Sequence, residues 1–170
     1  MLSAGAVEKE ALVSFLDRAL PDVYGYLLHR TREKAVAEDL TSETMLAAVG
    51  TVSGSSLDQM SVPWLIGIAR HKLSDHWRRE ARERDRFDRI VAERADESTD
   101  TAFEEGPAFE ALALLNPHQR LALTLRYVDG LSVPEVAELV GRSVHATETL
   151  LVRSKAAFRD RYQEIEGRDV

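Results

Sequence analysis

The stretch LSVPEVAELVGRSVHATETLLVRSKAAF, residues 131–158, decides how this chain is read. Ser132 and Glu135 stand three apart with Pro134 between them. That is the spacing of a capping box, in which each side chain satisfies an orphan donor at a helix start. A short helix through Val136, Ala137, Leu139 and Val140 then meets Gly141, whose backbone freedom ends helices. Arg142 and Ser143 complete a three-residue turn, and Ser143 can cap a second helix from Val144. A short capped helix, a turn containing Gly and a longer helix form the arrangement that lays a recognition helix in a major groove. An ordinary αα-corner in a bundle has the same local pattern, and these residues alone weigh the two equally.

The 170 residues around this stretch hold one medium domain or two small ones. Apolar residues make up 44% of the chain and aromatic residues only 6%, so the cores are expected to be aliphatic and helical. Cysteine is absent, which excludes disulfides and thiolate metal sites. No HExxH or other metal-ligand spacing joins His29, His71, His76, His118 and His145. No phosphate-cradling Gly loop occurs. Neither a metal, a cofactor nor an enzyme activity is expected. No apolar run approaches a membrane span, and no basic region precedes an apolar one at the N-terminus. A cytoplasmic protein without membrane insertion is the expectation.

The net charge of −7 counts against autonomous nucleic-acid binding, but the charge is segmented. Residues 70–89 carry eight basic side chains against five acidic ones, whereas residues 96–110 carry six acidic and no basic ones. The expected fold is all-α: two small helical domains joined by an acidic linker, with the helix-turn-helix in the second. The expected boundaries are 8–90, 91–107 and 108–165.

In the first domain, Leu12, Phe15, Leu16 and Ala19 share a helical face, which Pro21 is expected to interrupt. Val23, Tyr24, Leu27 and Leu28 continue the pattern beyond it. A further helix is expected over roughly 34–49 with Val36, Leu40 and Ala47 inward, then a loop over 51–63. The next helix starts near Trp64, with Leu65, Ala69, Leu73 and Trp77 inward and His71, Ser74, Asp75, Arg78 and Arg82 on the opposite stripe. Trp64 and Trp77 fall on apolar positions and read as core. In the second domain, Asn116, Pro117 and Gln119 open a helix with Leu121, Leu125 and Val128 inward.

Three segments carry a resemblance. Ala37-Glu38-Asp39-Leu40-Thr41-Ser42-Glu43-Thr44 resembles the AEDL-x-x-ET segment of bacterial sigma factors. Trp64-Leu65-Ile66-Gly67-Ile68-Ala69-Arg70, with Asp75 and Arg78-Arg79, resembles their WL-x-x-IAR…D-x-x-RR helix. Asn116-Pro117 through Arg120, then residues 125–132 and Glu135-Val136-Ala137, resembles their C-terminal domain. Together they resemble the extracytoplasmic-function class of the sigma-70 family over about 12–84 and 110–162.

The resemblance implies an initiation factor that docks on core RNA polymerase, recognises promoter DNA and performs no bond chemistry. Core-polymerase contacts would come from Asp39, Leu40, Glu43, Thr44 and Met45 against the clamp coiled coil, with the C-terminal domain on the flap. The melted −10 strand would meet Ser53, Ser55 and Ser56 of the loop and His71, Lys72, Arg78 and Arg79 of the following helix. The −35 duplex would meet Arg142, Ser143, His145, Ala146, Thr149 and Arg153, with Lys155 on phosphate. Apolar Leu150, Leu151 and Val152 raise a further expectation, an interaction module that sequesters a partner, and exposure of any of them implies an anti-sigma factor as that partner. The chain departs from the pattern at His71, where Asn is common, and at Glu148-Thr149-Leu150, where the family often has Lys-Ser-Arg. Glu148 could then accept from a cytosine amino group and Leu150 could meet a thymine methyl; alternatively both lie off the DNA face. In the second case the −35 contact is weak; an altered, weaker −35 contact is the expectation. A competing expectation is a plain helix-turn-helix regulator whose N-terminal helices sense a ligand and which binds duplex operator DNA unaided.

Overall fold

The computed structural model describes residues 4–52, 60–90 and 106–167. Among these residues there are only helices and turns. The chain gathers into two compact units, Met1–Leu73 and Ser74–Val170, so the division falls inside a helix.

In the first unit, α1 spans Ala4–Thr31 and packs on α2, Lys34–Val52. Pro21 does not interrupt α1. A proline inside a helix costs about 3 kcal/mol through its missing N–H and its clash with the preceding turn. Here Ala19, Val23 and Leu27 are buried on both sides of it, while Pro21 and Asp17 face solvent. Burial of a continuous stripe outweighs the break. Between α1 and α2, Arg32 turns the chain with a left-handed φ of 63°, its N–H donating to the Leu28 carbonyl at 2.9 Å.

On α2 the buried stripe is Ala37, Leu40, Thr41, Thr44 and Ala48, and Val36 and Ala47 are only half-buried. The inward face is thus rotated from the expected one. Apolar periodicity missed it because two of its members are threonines. The Thr41 and Thr44 hydroxyls donate back to the Ala37 and Leu40 carbonyls, both at 2.7 Å, so neither brings an unsatisfied polar group into the core.

The next helix, α3, spans Val62–Ile90. Leu65, Ala69, Leu73, Trp77 and Ala81 recur every four residues and are all at most 2% exposed. Ser74, expected on the opposite stripe, is buried as well. Of the loop expected over 51–63, Thr51 and Val52 close α2, and Val62 and Pro63 open α3.

In the second unit, α4 spans Pro107–Ala113, α5 Pro117–Leu123, α6 Val133–Val140 and α7 Val144–Glu166. Pro107, placed in the linker by sequence, is the first residue of α4; apart from Gly106 the rest of the expected linker lies outside the described residues. Asn116 caps α5 by accepting from the Gln119 N–H at 2.9 Å. Helix α5 runs into a π-helical turn at Thr124–Val128, in which the Asp129 N–H donates to the Thr124 carbonyl five residues back, at 2.9 Å. Such a turn inserts one residue and rotates the side chains beyond it. Leu121 and Leu125 are therefore fully buried, whereas Val128, expected inward, is 40% exposed beside an exposed Tyr127.

Truncation separates the two registers. Leu125→Ala should lower unfolding free energy by about 2–5 kcal/mol. Val128→Ala should stay within roughly 0.5 kcal/mol of the parent in urea denaturation.

Candidate functional site

The turn at Gly141 sets the angle between α6 and α7. Gly141 sits in the left-handed region, φ 69° and ψ 39°. The Arg142 N–H donates to the Ala137 carbonyl at 3.0 Å and the Gly141 N–H to the Glu138 carbonyl at 3.2 Å. These are the paired bonds of a Schellman motif, which satisfy carbonyls at the end of a helix. At the other end of α6, the Glu135 carboxylate accepts from the Ser132 N–H at 2.8 Å and its hydroxyl at 2.5 Å, closing the capping box. Ser143 then accepts from the Ala146 N–H at 3.2 Å and starts α7.

Helix α7 packs on α4, α5 and α6 and buries Thr147, Leu151, Ser154 and Ile165. The opposite side, His145, Glu148, Thr149, Val152, Arg153 and Ala156, is exposed. Of the residues assigned to duplex DNA, Arg142, Ser143, His145, Thr149 and Arg153 are exposed on the turn and this face, and Ala146 is half-buried. The Thr149 hydroxyl is turned back onto the His145 carbonyl at 3.1 Å. Lys155 lies at the margin of the face, its Nζ 4.9 Å from the Tyr127 ring centroid, a cation–π contact that draws it away from the other residues.

Glu148 lies on the exposed face, its carboxylate 3.8 Å from His145 Nδ1. Leu150 does not: it packs against the core cluster of Leu115, Ala122, Leu123 and Leu151 and cannot present itself to a thymine methyl. Val144, at the helix start, is 43% accessible, and the large apolar side chain exposed on this face is Val152, 69% accessible. Counting positions from Gly141 would have found it, because residues 145, 148, 149, 152 and 153 share one helical face.

Behind this face, an apolar groove of about 380 Å³ is lined by Leu112, Leu123, Tyr127, Val128, Phe158 and Tyr162, with Lys155 and Arg159 among its walls. The Tyr162 hydroxyl titrates above its ordinary range because it hydrogen-bonds the Glu166 carboxylate. At the start of α5, burial and then the charge of Arg142 hold His118 below the usual imidazole value.

In the first unit, the residues assigned to polymerase divide in two. Asp39 is exposed, and Glu43 and Met45 are half-buried. Leu40 and Thr44 are core, 4% and 0% accessible, so they hold α2 in place rather than contacting a partner. The outward stripe of α2 is Asp39, Ser42, Glu43 and Leu46. Leu46, 73% exposed, is the apolar member that sequence reasoning missed.

Ser53, Ser55 and Ser56, assigned to melted DNA, lie outside the described residues. On α3, His71 and Arg79 are exposed. Lys72 pairs with Glu43 across to α2, Nζ to Oε2 3.3 Å. Arg78 pairs with Asp75 one turn before it. Such partly exposed pairs contribute at most about 1 kcal/mol, so the cations remain available to a phosphate.

A sigma-70 region 2 profile matches residues 15–83 and a sigma-70 region 4 profile matches residues 108–158. The chain is 31% identical to the extracytoplasmic-function sigma factor SigC of Mycobacterium tuberculosis over 164 residues, covering 92% of this chain and 86% of that one. It belongs to that class of the sigma-70 family. It is similar to the sigma factor BldN of Streptomyces coelicolor, 36% identical over 160 residues, which cover 89% of this chain and 60% of that one. It is 31% identical to the probable sigma-C factor of Mycobacterium bovis over 164 residues, covering 92% of this chain and 86% of that one. The solved sigma factor RpoE of Bartonella quintana, in complex with the anti-sigma factor NepR, has a similar fold: TM-score 0.53, 20% identity, 87% of this chain and 94% of that one. Among the described residues, no helix of this sigma factor is long and apolar enough to cross a membrane.

The inward seating of Leu150 is open to measurement. Leu150→Ala should destabilise the protein by about 1–3 kcal/mol in thermal or urea unfolding, and Val152→Ala should leave the transition where it is.

Proposed function

We propose that this sigma factor binds core RNA polymerase through the outward stripe of α2, engages the melted −10 strand with α3 and reads the −35 duplex with the exposed face of α7. What carries the proposal is that region 2 and region 4 matches stand in order on one chain, each holding an exposed face suited to its task.

On α2, acidic Asp39 and Glu43 surround Leu46. An apolar contact ringed by acids suits a basic coiled coil, the apolar residue giving affinity and the charges giving orientation and encounter rate. On α3, His71, Lys72, Arg78 and Arg79 supply a hydrogen-bonding and cationic face for single-stranded backbone and bases. Arg142 in the turn before α7, His145 in its first turn and Arg153 further along the same exposed face offer contacts to base edges and phosphates. Lys155 lies toward the groove and is a weaker candidate for phosphate than the sequence pattern implies.

The domains in this reading are 8–90 and 108–165, with the acidic segment between them. A net charge of −7 fits a factor whose DNA affinity comes mostly from its polymerase. The reaction chemistry belongs to that enzyme, and the factor's own work is binding. Its place is the cytoplasm, with core polymerase, promoter DNA and an anti-sigma factor as partners.

The test adds the purified protein to core polymerase on genomic fragments. Promoter-specific transcripts and a stable complex with core are expected. Operator binding by the protein alone, with neither of those, would favour the plain helix-turn-helix regulator instead. Asp39→Ala with Glu43→Ala and Leu46→Ala should weaken core binding by about tenfold or more without unfolding α2. Arg153→Ala should reduce −35-dependent transcription by about tenfold while core binding is retained.

A further inference from the structure

Resting on the assignment of α7 as the duplex reader, we propose that Glu148 and Val152 set this sigma factor's base preference. Glu148 accepts from a cytosine amino group, and Val152 packs on a thymine methyl about two base-pair steps away.

The exposed face of α7 narrows the set of base readers. Ser143 is engaged in capping, with Ala146 N–H on its Oγ. The Thr149 hydroxyl donates to the helix backbone, and Leu150 is packed into the core cluster. Arg142 and Val144 remain at the turn and the helix start, and His145, Glu148, Val152 and Arg153 on the face beyond it, each exposed. Val152 stands one turn after Glu148 on the same side, 69% exposed. A β-branched apolar side chain in the middle of a polar, DNA-facing surface adds nothing to the core. It is the residue type that distinguishes thymine by its methyl group.

A carboxylate in a groove walled by phosphates is repelled unless it meets a donor. In the major groove, guanine presents two acceptors and thymine one, all of which repel it; adenine sets its amino donor beside the N7 acceptor. Cytosine presents an amino donor alone, so cytosine is the base that a carboxylate selects. His145 stands in the preceding turn, its Nδ1 3.8 Å from the carboxylate. Four helical residues advance about 6 Å, which bounds the separation of the two bases at about two base-pair steps of 3.4 Å each.

The experiment uses the full chain bound to core polymerase and a pool of promoter duplexes randomised upstream of the melted region. Bound duplexes are sequenced for the parent, Glu148→Gln and Val152→Ala. For the parent, an enriched upstream element is expected to hold a cytosine and a thymine within about two steps. Glu148→Gln should cut the cytosine preference about tenfold and shift it toward adenine, which a glutamine amide pairs bidentately. Replacing thymine by deoxyuridine removes only the methyl group. At one position it should weaken parent binding about fourfold and leave Val152→Ala unaffected. Both residues are exposed, so the variants should melt with the parent. An enriched element that neither variant alters, or a parent indifferent to deoxyuridine throughout, overturns the base assignments and leaves α7 as the duplex reader. No enriched upstream element at all overturns that assignment too.

Discussion

Helix α7 must bury one side against three other helices while leaving its opposite side bare, and the second unit is organised by that constraint. Helices α4, α5 and α6 all pack on it. The buried side combines Leu151 and Ile165 with Thr147 and Ser154. The two hydroxyls donate to the Ser143 and Leu150 carbonyls, at 3.0 and 2.7 Å, so small polar residues can sit in a close-packed seam without an orphaned donor. The capped α6, the left-handed Gly141 and the Ser143 cap then determine how α7 enters that seam. An exposed face with a fixed orientation is the result, and the duplex reading proposed for α7 needs that more than it needs net positive charge.

Much of this was legible in the chain. Capping signals are local chemistry: Ser132 with Glu135, Asn116 with Gln119 and Ser143 before Val144 each mark a helix start that the structure shares. Gly141 likewise ends α6 as expected, because only a residue tolerant of positive φ closes a helix with that pair of bonds. The stripe from Leu65 to Trp77 was readable because its members are apolar and regularly spaced.

What escaped was set by tertiary burial or by backbone detail. Pro21 carries a strong local preference, yet burial on both sides of it keeps α1 continuous. Thr41 and Thr44 count as polar in a pattern and as core in the structure. The π-turn at 124–128 has no compositional signature, so the outward rotation of Val128 could not be inferred. At the functional surfaces the same causes operate. Leu40, Thr44 and Leu150 belong to motifs but lie inward, whereas Leu46 and Val152 belong to no motif and stand in the open.

The Lys72–Glu43 pair joins α3 to α2, the helices assigned to DNA and to polymerase. An ammonium held by a carboxylate offers less charge to a phosphate, and a carboxylate held by an ammonium offers less to a basic coiled coil. Whatever draws one of them away frees the other, so occupancy of one surface favours occupancy of the second by thermodynamic reciprocity. The pair is partly solvated, so the coupling is on the order of 0.5 kcal/mol, about a twofold gain in affinity in each direction. Under the proposed assignment, a single ion pair makes promoter engagement and polymerase engagement slightly cooperative within a domain of modest size.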